Sequence, residues 1–598
     1  MMNLEFKELE KLLSGIEKPG RYINHEIGIK SKSKDFIENH PDTVLSALAF
    51  PDIYEVGMPN SGIQILYQII NKHSEFSAER VYTPWIDFEA KLRKEKVKLF
   101  SLENRIFLDC FDFIGFNAAH EMLYTNILNM LDLGGIAVNS KDRKNIFPLV
   151  CAGGSSTVNP QPLSKFMDFF VVGDGEEVIV SLLEKIGYFK KISSNEKGKN
   201  ASKELLLREI SKVDGVYVPA FFKVYFNTDC SIKEIEPDIK VKKAVIKDLN
   251  DYEIVTEPVI PNIQIVHDRF SVEIMRGCAR GCRFCQAGFV NRPVRQRNAE
   301  TLINQCIKGL KNTGYDEISF TSLSSADYRE LEYLITNISN SQYFGLLSIS
   351  MPSLRLDSFN FKLAELILKG RKTGLTFAPE AGSQRLRNII KKDISEENLL
   401  NCMEIAFSSG WDKVKLYFMI GLPFEVQEDI EAIIILINKV INKATEIIPR
   451  KKMGRFQINV SINAFCPKPF TPFQWASQDN IAKLKNKFGY ISKNIPKRFV
   501  KLNWTSPEKS KIECALARGN TFLGDVIENA WKRGAKFDNW TDYFNFDLWT
   551  GAFEAEGCDI DFYATREIPS DEVLPWDMID IGVKKEYLLK EYRAAKKL

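Results

Sequence analysis

The segment "RGCARGCRFCQAGFVNRPVRQR", Arg276 to Arg297, sets Cys278, Cys282 and Cys285 within eight residues and spreads six arginines around them. Thiols so close together suit a metal centre. Structural zinc normally takes four closed ligands, and no histidine or fourth cysteine lies within finger spacing here, although His267 and Cys306 could be recruited. An iron–sulfur cubane also takes four ligands, so three cysteines leave one iron open to a ligand from outside the protein. The arginines could balance a negative centre or contact phosphates.

Elements that could position such a centre can be read along the chain. From Val44 short apolar runs alternate with amphipathic ones ("VLSALAF", "GIQILYQIINKH", "FDFIGFN", "PLVCAGG", "MDFFVVGDGEE"), which predicts a doubly wound, Rossmann-like parallel α/β sheet over residues 41–186, after an N-terminal extension over 1–40. Residues 187–269 read as a polar, lysine-rich linker (187–201) followed by a small β-rich bridge with a hairpin at Gly215 to Asp229. A second alternating array over 270–502 supplies six strand candidates: "SVEIM", "DEISFTS", "LLSISM", "GLTFAPE", "KVKLYFMIGLP" and "FQINVSINAF". Six βα units make a complete or partial (β/α)6 TIM-like barrel, whose chemistry belongs at the carboxyl ends of the strands. Residues 503–598 read as a separate helical C-terminal unit.

The cysteines follow the first of these strands, and the C-x3-C-x-Φ-C spacing, with Phe284 as the aromatic, resembles the signature of the radical S-adenosylmethionine (SAM) superfamily. The resemblance implies that Cys278, Cys282 and Cys285 hold a 4Fe-4S cluster whose open iron binds SAM. It also implies SAM contacts at later strand ends: Phe284 beside the cluster; Ser324, Ser325 and Asp327 in "LSSAD", where the superfamily commonly has glycines; Ser353 and Arg355 in "MPSLRLD"; Glu380, Gly382 and Ser383 in "TFAPEAGS", with Glu380 on the ribose. Glu380 and Ser383 also suit a helix N-terminus, and Arg355 a surface ion pair.

"VCAGGSSTVNPQPLSKFMDFFVVGDGEE" resembles the cobalamin-binding domain that precedes the barrel in one branch of the superfamily. On that resemblance Gly153, Gly154, Ser155, Gly173 and Gly175 surround the nucleotide tail of a corrin, while helix packing is the other use for such glycines. The loop "PDIYEVGMPNSG" lacks the cobalt-ligating histidine of the mutases, so the corrin would be base-off with no histidine ligand. His120 reads as a hydrogen-bonded structural residue.

Cleavage of SAM at the cluster would give a 5′-deoxyadenosyl radical, and with cobalamin in the same cavity the expected reaction is C-methylation of an unknown substrate. Rearrangement, cyclisation or methylthio transfer are alternatives, although only Cys110 and Cys151 stand in the first domain to hold a second cluster. A non-enzyme alternative is an iron–sulfur or zinc module that binds RNA through the arginines and through "KLKNKFGYISKNIPKRFVKLNW", Lys483 to Trp504, which equally suits a solvated amphipathic helix plus a strand. Cys466, a candidate hydrogen-atom donor, reads first as a structural thiol.

Composition bounds the rest. With 81 basic against 78 acidic residues, the whole-molecule charge does not call for a polyanionic partner. The longest apolar run, Ala432 to Ile437, is too short to span a bilayer, so no membrane partner is expected. Eleven mostly scattered cysteines in 598 residues suit a reducing compartment, and a cytoplasmic enzyme fed by a reducing donor such as flavodoxin or ferredoxin is expected.

Overall fold

The computed structural model describes residues 2–194, 202–341, 347–351, 361–368 and 374–598. Its first sheet is built from β1 (Val44–Phe50), β2 (Phe76–Tyr82), β3 (Phe113–Asn117), β4 (Leu149–Gly153), β5 (Phe169–Val171) and β6 (Val216–Tyr217), in the order 2-1-3-4-5-6. The first five strands are parallel, and β6 joins antiparallel to β5. β1 and β2 are buried along their whole length, which is why β1 reads as an apolar run rather than as an alternation; β2, FSAERVY, buries Glu79 and Arg80 and gave no such signal. The order reverses at β1, where β2 and β3 flank it on opposite sides, so the crevice for a ligand opens at the carboxyl ends of β1 and β3.

All six barrel strands expected from the sequence form: Phe270–Glu273, Glu317–Thr321, Ser348–Ser350, Leu375–Glu380, Lys413–Ile420 and Gln457–Ala464. The first three pair as one parallel sheet and the last three as another, to which a seventh strand, Val500–Trp504, adds in parallel. One buried cluster fills this half of the molecule, with alternate residues of the longer strands, such as Val414, Leu416, Phe418 and Ile420, pointing inward.

The structure departs from the sequence reading in three places. Residues 187–194, read as linker, continue the helix Glu176–Ser194, because Ile186 and Phe189 extend its buried stripe past Gly187. The aromatic bridge is divided: Val216–Tyr217 closes the first sheet, while the hairpin forms later, from Lys223–Phe226 and Ile232–Glu236. The C-terminal segment has no core of its own. Ile512, Leu523, Trp549 and Trp576 bury with Ile114, Ile127, Phe166 and Phe170 in a single cluster, so these helices cover one face of the first sheet.

Candidate active site

The cysteine loop leaves the first barrel strand and is tied down by its own arginines. Arg276 pairs with Glu273 beneath it (2.9 Å) and crosses to the turn after β5, reaching Asp174 and Glu176 at 2.8 Å each. Arg295 also pairs with Asp174 and donates to the carbonyl of Ile246. Arg280 forms a two-toothed pair with Asp327 at the end of the second strand. Arg283 bonds the carbonyl of Ile389 (2.6 Å) and Glu591 of the last helix, Arg292 the carbonyl of Gly288, and Arg297 the carbonyls of Leu249 and Tyr252. All six arginines thus have partners within the protein. They are cross-braces, which corrects their reading as phosphate contacts.

Within that frame the three thiols are half-buried. Burial pushes the Cys285 thiol up to about 11, against the N–H of Gly288, which works the other way; the charges of Cys282 and Cys278 add to the rise. A thiol in this state ligates only once a metal takes its proton. The zinc alternative finds no fourth ligand in the residues named for it. Cys306 is fully buried in the barrel core, and His267 sits beside Arg269 ahead of the first strand, at the end opposite the loop. Three half-buried thiols on one braced loop fit a cubane with an open iron.

The later strand ends converge in part. Glu380 ends the fourth strand at a break in its ladder, with φ +68°. A non-glycine residue held in the left-handed region is costly and concentrates at functional sites. Burial pushes its carboxyl up, partly offset by Lys392 at 3.3 Å. Two neighbours have structural uses instead. A Cβ on Gly382 would lie 2.2 Å from the backbone nitrogen of Ile433, so glycine lets the helix Gln427–Ile447 close in. Ser383 caps the helix Gln384–Ile389 by accepting from Leu386 N–H and donates to Asp429. Phe284 packs against Leu386, Ile389 and Phe465. Asp327 is engaged by Arg280 and Ser325 by Ser322, whereas the buried Ser324 hydroxyl has no partner. Ser353 and Arg355 lie outside the described residues.

Between the two sheets lies a cleft of about 550 Å³. Gly153, Gly154, Ser155, Gly173 and Gly175 line it from the first domain. Met275, Arg276, Gly277 and Thr321 to Leu323 face them from the barrel, beside the cysteine loop. Gly173 has a packing reason as well, since a Cβ there would lie 2.1 Å from the Ala244 carbonyl oxygen. At Gly153 nothing lies closer than 3.8 Å, so its side of the cleft is open. Among the described residues no histidine lines this space.

Sequence reasoning passed over Asp174, Glu176 and Glu273, the acids that join the two cofactor loops; the signal was an acidic glycine turn, "GDGEE", with an arginine-rich loop elsewhere needing counter-charges. It also missed a network at the far side of β3. There Lys468 Nζ lies 2.8 Å from Glu121 and 2.9 Å from Glu513, while His120 Nε2 lies 3.4 Å from Glu513. Burial works against these charges, but the pairing outweighs it: His120 and Lys468 are raised and Glu513 is held far below the usual carboxylate range. The imidazole's other nitrogen accepts from Met122 N–H, so both ring nitrogens of His120 have partners. Cys466 and Cys514 are adjoining thiols behind this network.

The profile described as "Radical SAM proteins, N-terminal" matches residues 62–219, and that of the "Radical SAM superfamily" matches residues 272–437. An uncharacterized protein of Methanocaldococcus jannaschii is 30% identical over 440 residues, covering 73% of this chain and 85% of its own length. A tRNA-2-methylthio-N(6)-dimethylallyladenosine synthase of Hydrogenobaculum is 23% identical over 49% of this chain and 66% of its own. Among solved structures, the radical S-adenosylmethionine methyltransferase TsrM of Kitasatospora setae, with cobalamin and a 4Fe-4S cluster bound, aligns at TM-score 0.46 and 13% identity over 70% of this chain and 72% of that one. The cobalamin-dependent radical enzyme OxsB, with aqua-cobalamin and S-adenosylmethionine bound, aligns at TM-score 0.43 and 11% identity over 94% and 80%.

Proposed function

From the premise that this chain belongs to the radical SAM superfamily, we propose that it is a cobalamin-dependent radical SAM methyltransferase acting on a carbon of its substrate. The observation that carries the reading is the cleft. A parallel sheet's ligand crevice opens onto the cysteine loop, and the two are joined by the pairs from Arg276 to Asp174 and Glu176. A second large cofactor held there would meet the radical site across a shared cavity.

In this reading Cys278, Cys282 and Cys285 hold the cluster, Glu380 accepts from the SAM ribose hydroxyls, and the Ser324 hydroxyl turns toward the bound SAM. Gly153 and Ser155 would hold the corrin tail at the open side of the cleft, where no histidine among the described residues lines the space to serve as a ligand. Bound together, the cluster, SAM and cobalamin supply reductive cleavage to a 5′-deoxyadenosyl radical and a transferable methyl group. The chain's part is to brace the loop, exclude water with the Phe284 cluster, and orient the carboxylate of Glu380. Electrons come from a reducing partner of the flavodoxin or ferredoxin class. Methylthio transfer is less well supported: Cys110 precedes β3 at the end away from the cleft and Cys230 sits in the bridge, leaving Cys151 the one cleft cysteine of the first domain.

The test is anaerobic reconstitution with iron, sulfide and hydroxocobalamin, followed by desalting, visible and EPR spectra and analysis of SAM products. Corrin retained in proportion to protein, with a SAM-perturbed cluster signal, is expected. A SAM-responsive cluster on a protein that retains no corrin would overturn the methyltransferase reading.

A further inference from the structure

The amino ends of the barrel strands, opposite the cysteine loop, carry a concentration of positive charge that the reaction does not use. Arg450, Lys451, Lys452 and Arg455 form a short turn ahead of the sixth strand, and Lys497 and Arg498 a second ahead of the seventh. The ladder brings these turns together: Gln457 N–H donates to Asp412 O at 3.0 Å and Ile458 N–H to Phe499 O at 2.8 Å, which also draws in Lys413. All seven side chains are exposed, and among the described residues none is in an ion pair. Elsewhere on this barrel exposed lysines are commonly paired, as Lys439 is with Glu396 and Lys485 with Glu508. Unneutralised like charges held side by side repel, so the cluster marks a place where an outside anion supplies the counter-charge.

The charge continues up one flank. Val500–Trp504 is an edge strand whose Lys501 and Asn503 are exposed, and it ends at Trp504, 47% exposed, with its ring stacked 5.7 Å from that of Phe488. An indole fixed from behind and open in front is a platform for a base, and a cationic row leading to it suits the phosphates of a flexible strand. We propose that this face and flank bind a single-stranded polynucleotide, with its backbone along the Arg450–Arg455 and Lys497–Lys501 turns and a base on Trp504. An acidic redox donor fits less well. The fifth strand, Lys413–Ile420, separates this face from the cysteine loop by roughly 26 Å at ordinary strand rise, too far for a donor that must serve the cluster.

Binding of labelled oligouridylate and oligothymidylate of about 20 nucleotides to the full-length protein, followed by fluorescence anisotropy, tests this. The expected result is affinity that falls with salt at a log–log slope of about 0.7 per phosphate neutralised. The triple variant K451E/K452E/R455E should weaken binding about tenfold or more and flatten that slope. Trp504→Ala should lower affinity about tenfold with the slope unchanged. Cluster absorbance should not move in either variant, and melting temperature should not move in the triple variant, whose replaced side chains are exposed and in no ion pair among the described residues; Trp504→Ala loses only its stacking on Phe488. Tighter binding of the RNA oligomer would add a 2′-hydroxyl contact, and equal binding would assign phosphates and base faces alone; both uphold the surface. Absence of salt-sensitive binding at about 50 mM salt, or equal affinity of wild type and triple variant, would overturn it. So would capture of an acidic protein by this face when neither oligomer binds.

Discussion

Glu380 is kept at φ +68° by a chain that could have placed glycine there, so its side chain is what the position retains. Glu380→Gln keeps the shape and removes the charge. It should leave iron content intact while weakening SAM binding by about tenfold or more, the value of hydrogen bonds to a charged acceptor; equilibrium binding to the reconstituted enzyme reads this. Glu380→Gly should also cost SAM affinity, and its melting temperature should lie above that of Glu380→Ala, since both lose the Lys392 pair and only glycine relieves the strain. At the cluster, Cys282→Ala should abolish the bound iron and the SAM-dependent signal together. The cysteines were legible because their spacing is local. The Arg276 pairs were not: Asp174 lies 102 residues away and Glu176 100, and no pattern along a chain announces contacts at that range. Ser383 takes the helix cap that the sequence offered beside its SAM contact, while the crowding of Gly382 by Ile433 appears only in three dimensions.

Elements succeed or fail by how they meet. Two of the six arginines, Arg276 and Arg295, tie the cysteine loop to the turn after β5, while the other four hold that loop to the barrel, the bridge, the last helix and itself. Removing Arg276 takes the partner from buried Glu176 and part-exposed Glu273, while Asp174 keeps Arg295, so Arg276→Met should destabilise the protein by about 3 kcal/mol, read as a lowered denaturation midpoint. Gly382→Ala forces the helix Gln427–Ile447 outward and should cost about 1–3 kcal/mol, with the barrel loosened while β1 to β6 stay intact. β1, β3, β4, β5 and the six barrel strands were readable as elements because each buries a short apolar run, whereas β2 was not, since its buried Glu79 and Arg80 break the run. The helix Ile481–Asn494 and strand Val500–Trp504 were also anticipated in "KLKNKFGYISKNIPKRFVKLNW", where Leu484, Phe488 and Ile491 make the buried stripe. Pairing was not readable: that Val500–Trp504 completes the barrel sheet as a seventh member depends on its register with Ile458 to Ile462.

Over the whole molecule, the network of Lys468, Glu121, Glu513 and His120 links first sheet, barrel and C-terminal helices, and it makes stability depend on pH. His120 is raised in the folded chain, so its contribution is complete below about pH 6.5, its unfolded value, and is lost as pH rises through the folded one. Glu513 is depressed, so its contribution is present above about pH 4.3 and is lost as pH falls toward its folded value. Melting temperature should therefore fall as pH rises above about 6.5, and His120→Gln should flatten that decline. The shared core of the first sheet and the last helices has a consequence in time. Phe166 and Phe170 await Ile512 and Trp576, more than 300 positions later. At a synthesis rate of about 5–20 residues per second, the emerging amino-terminal half has an uncovered greasy face for roughly 17–80 seconds, a window in which the cell must shelter it.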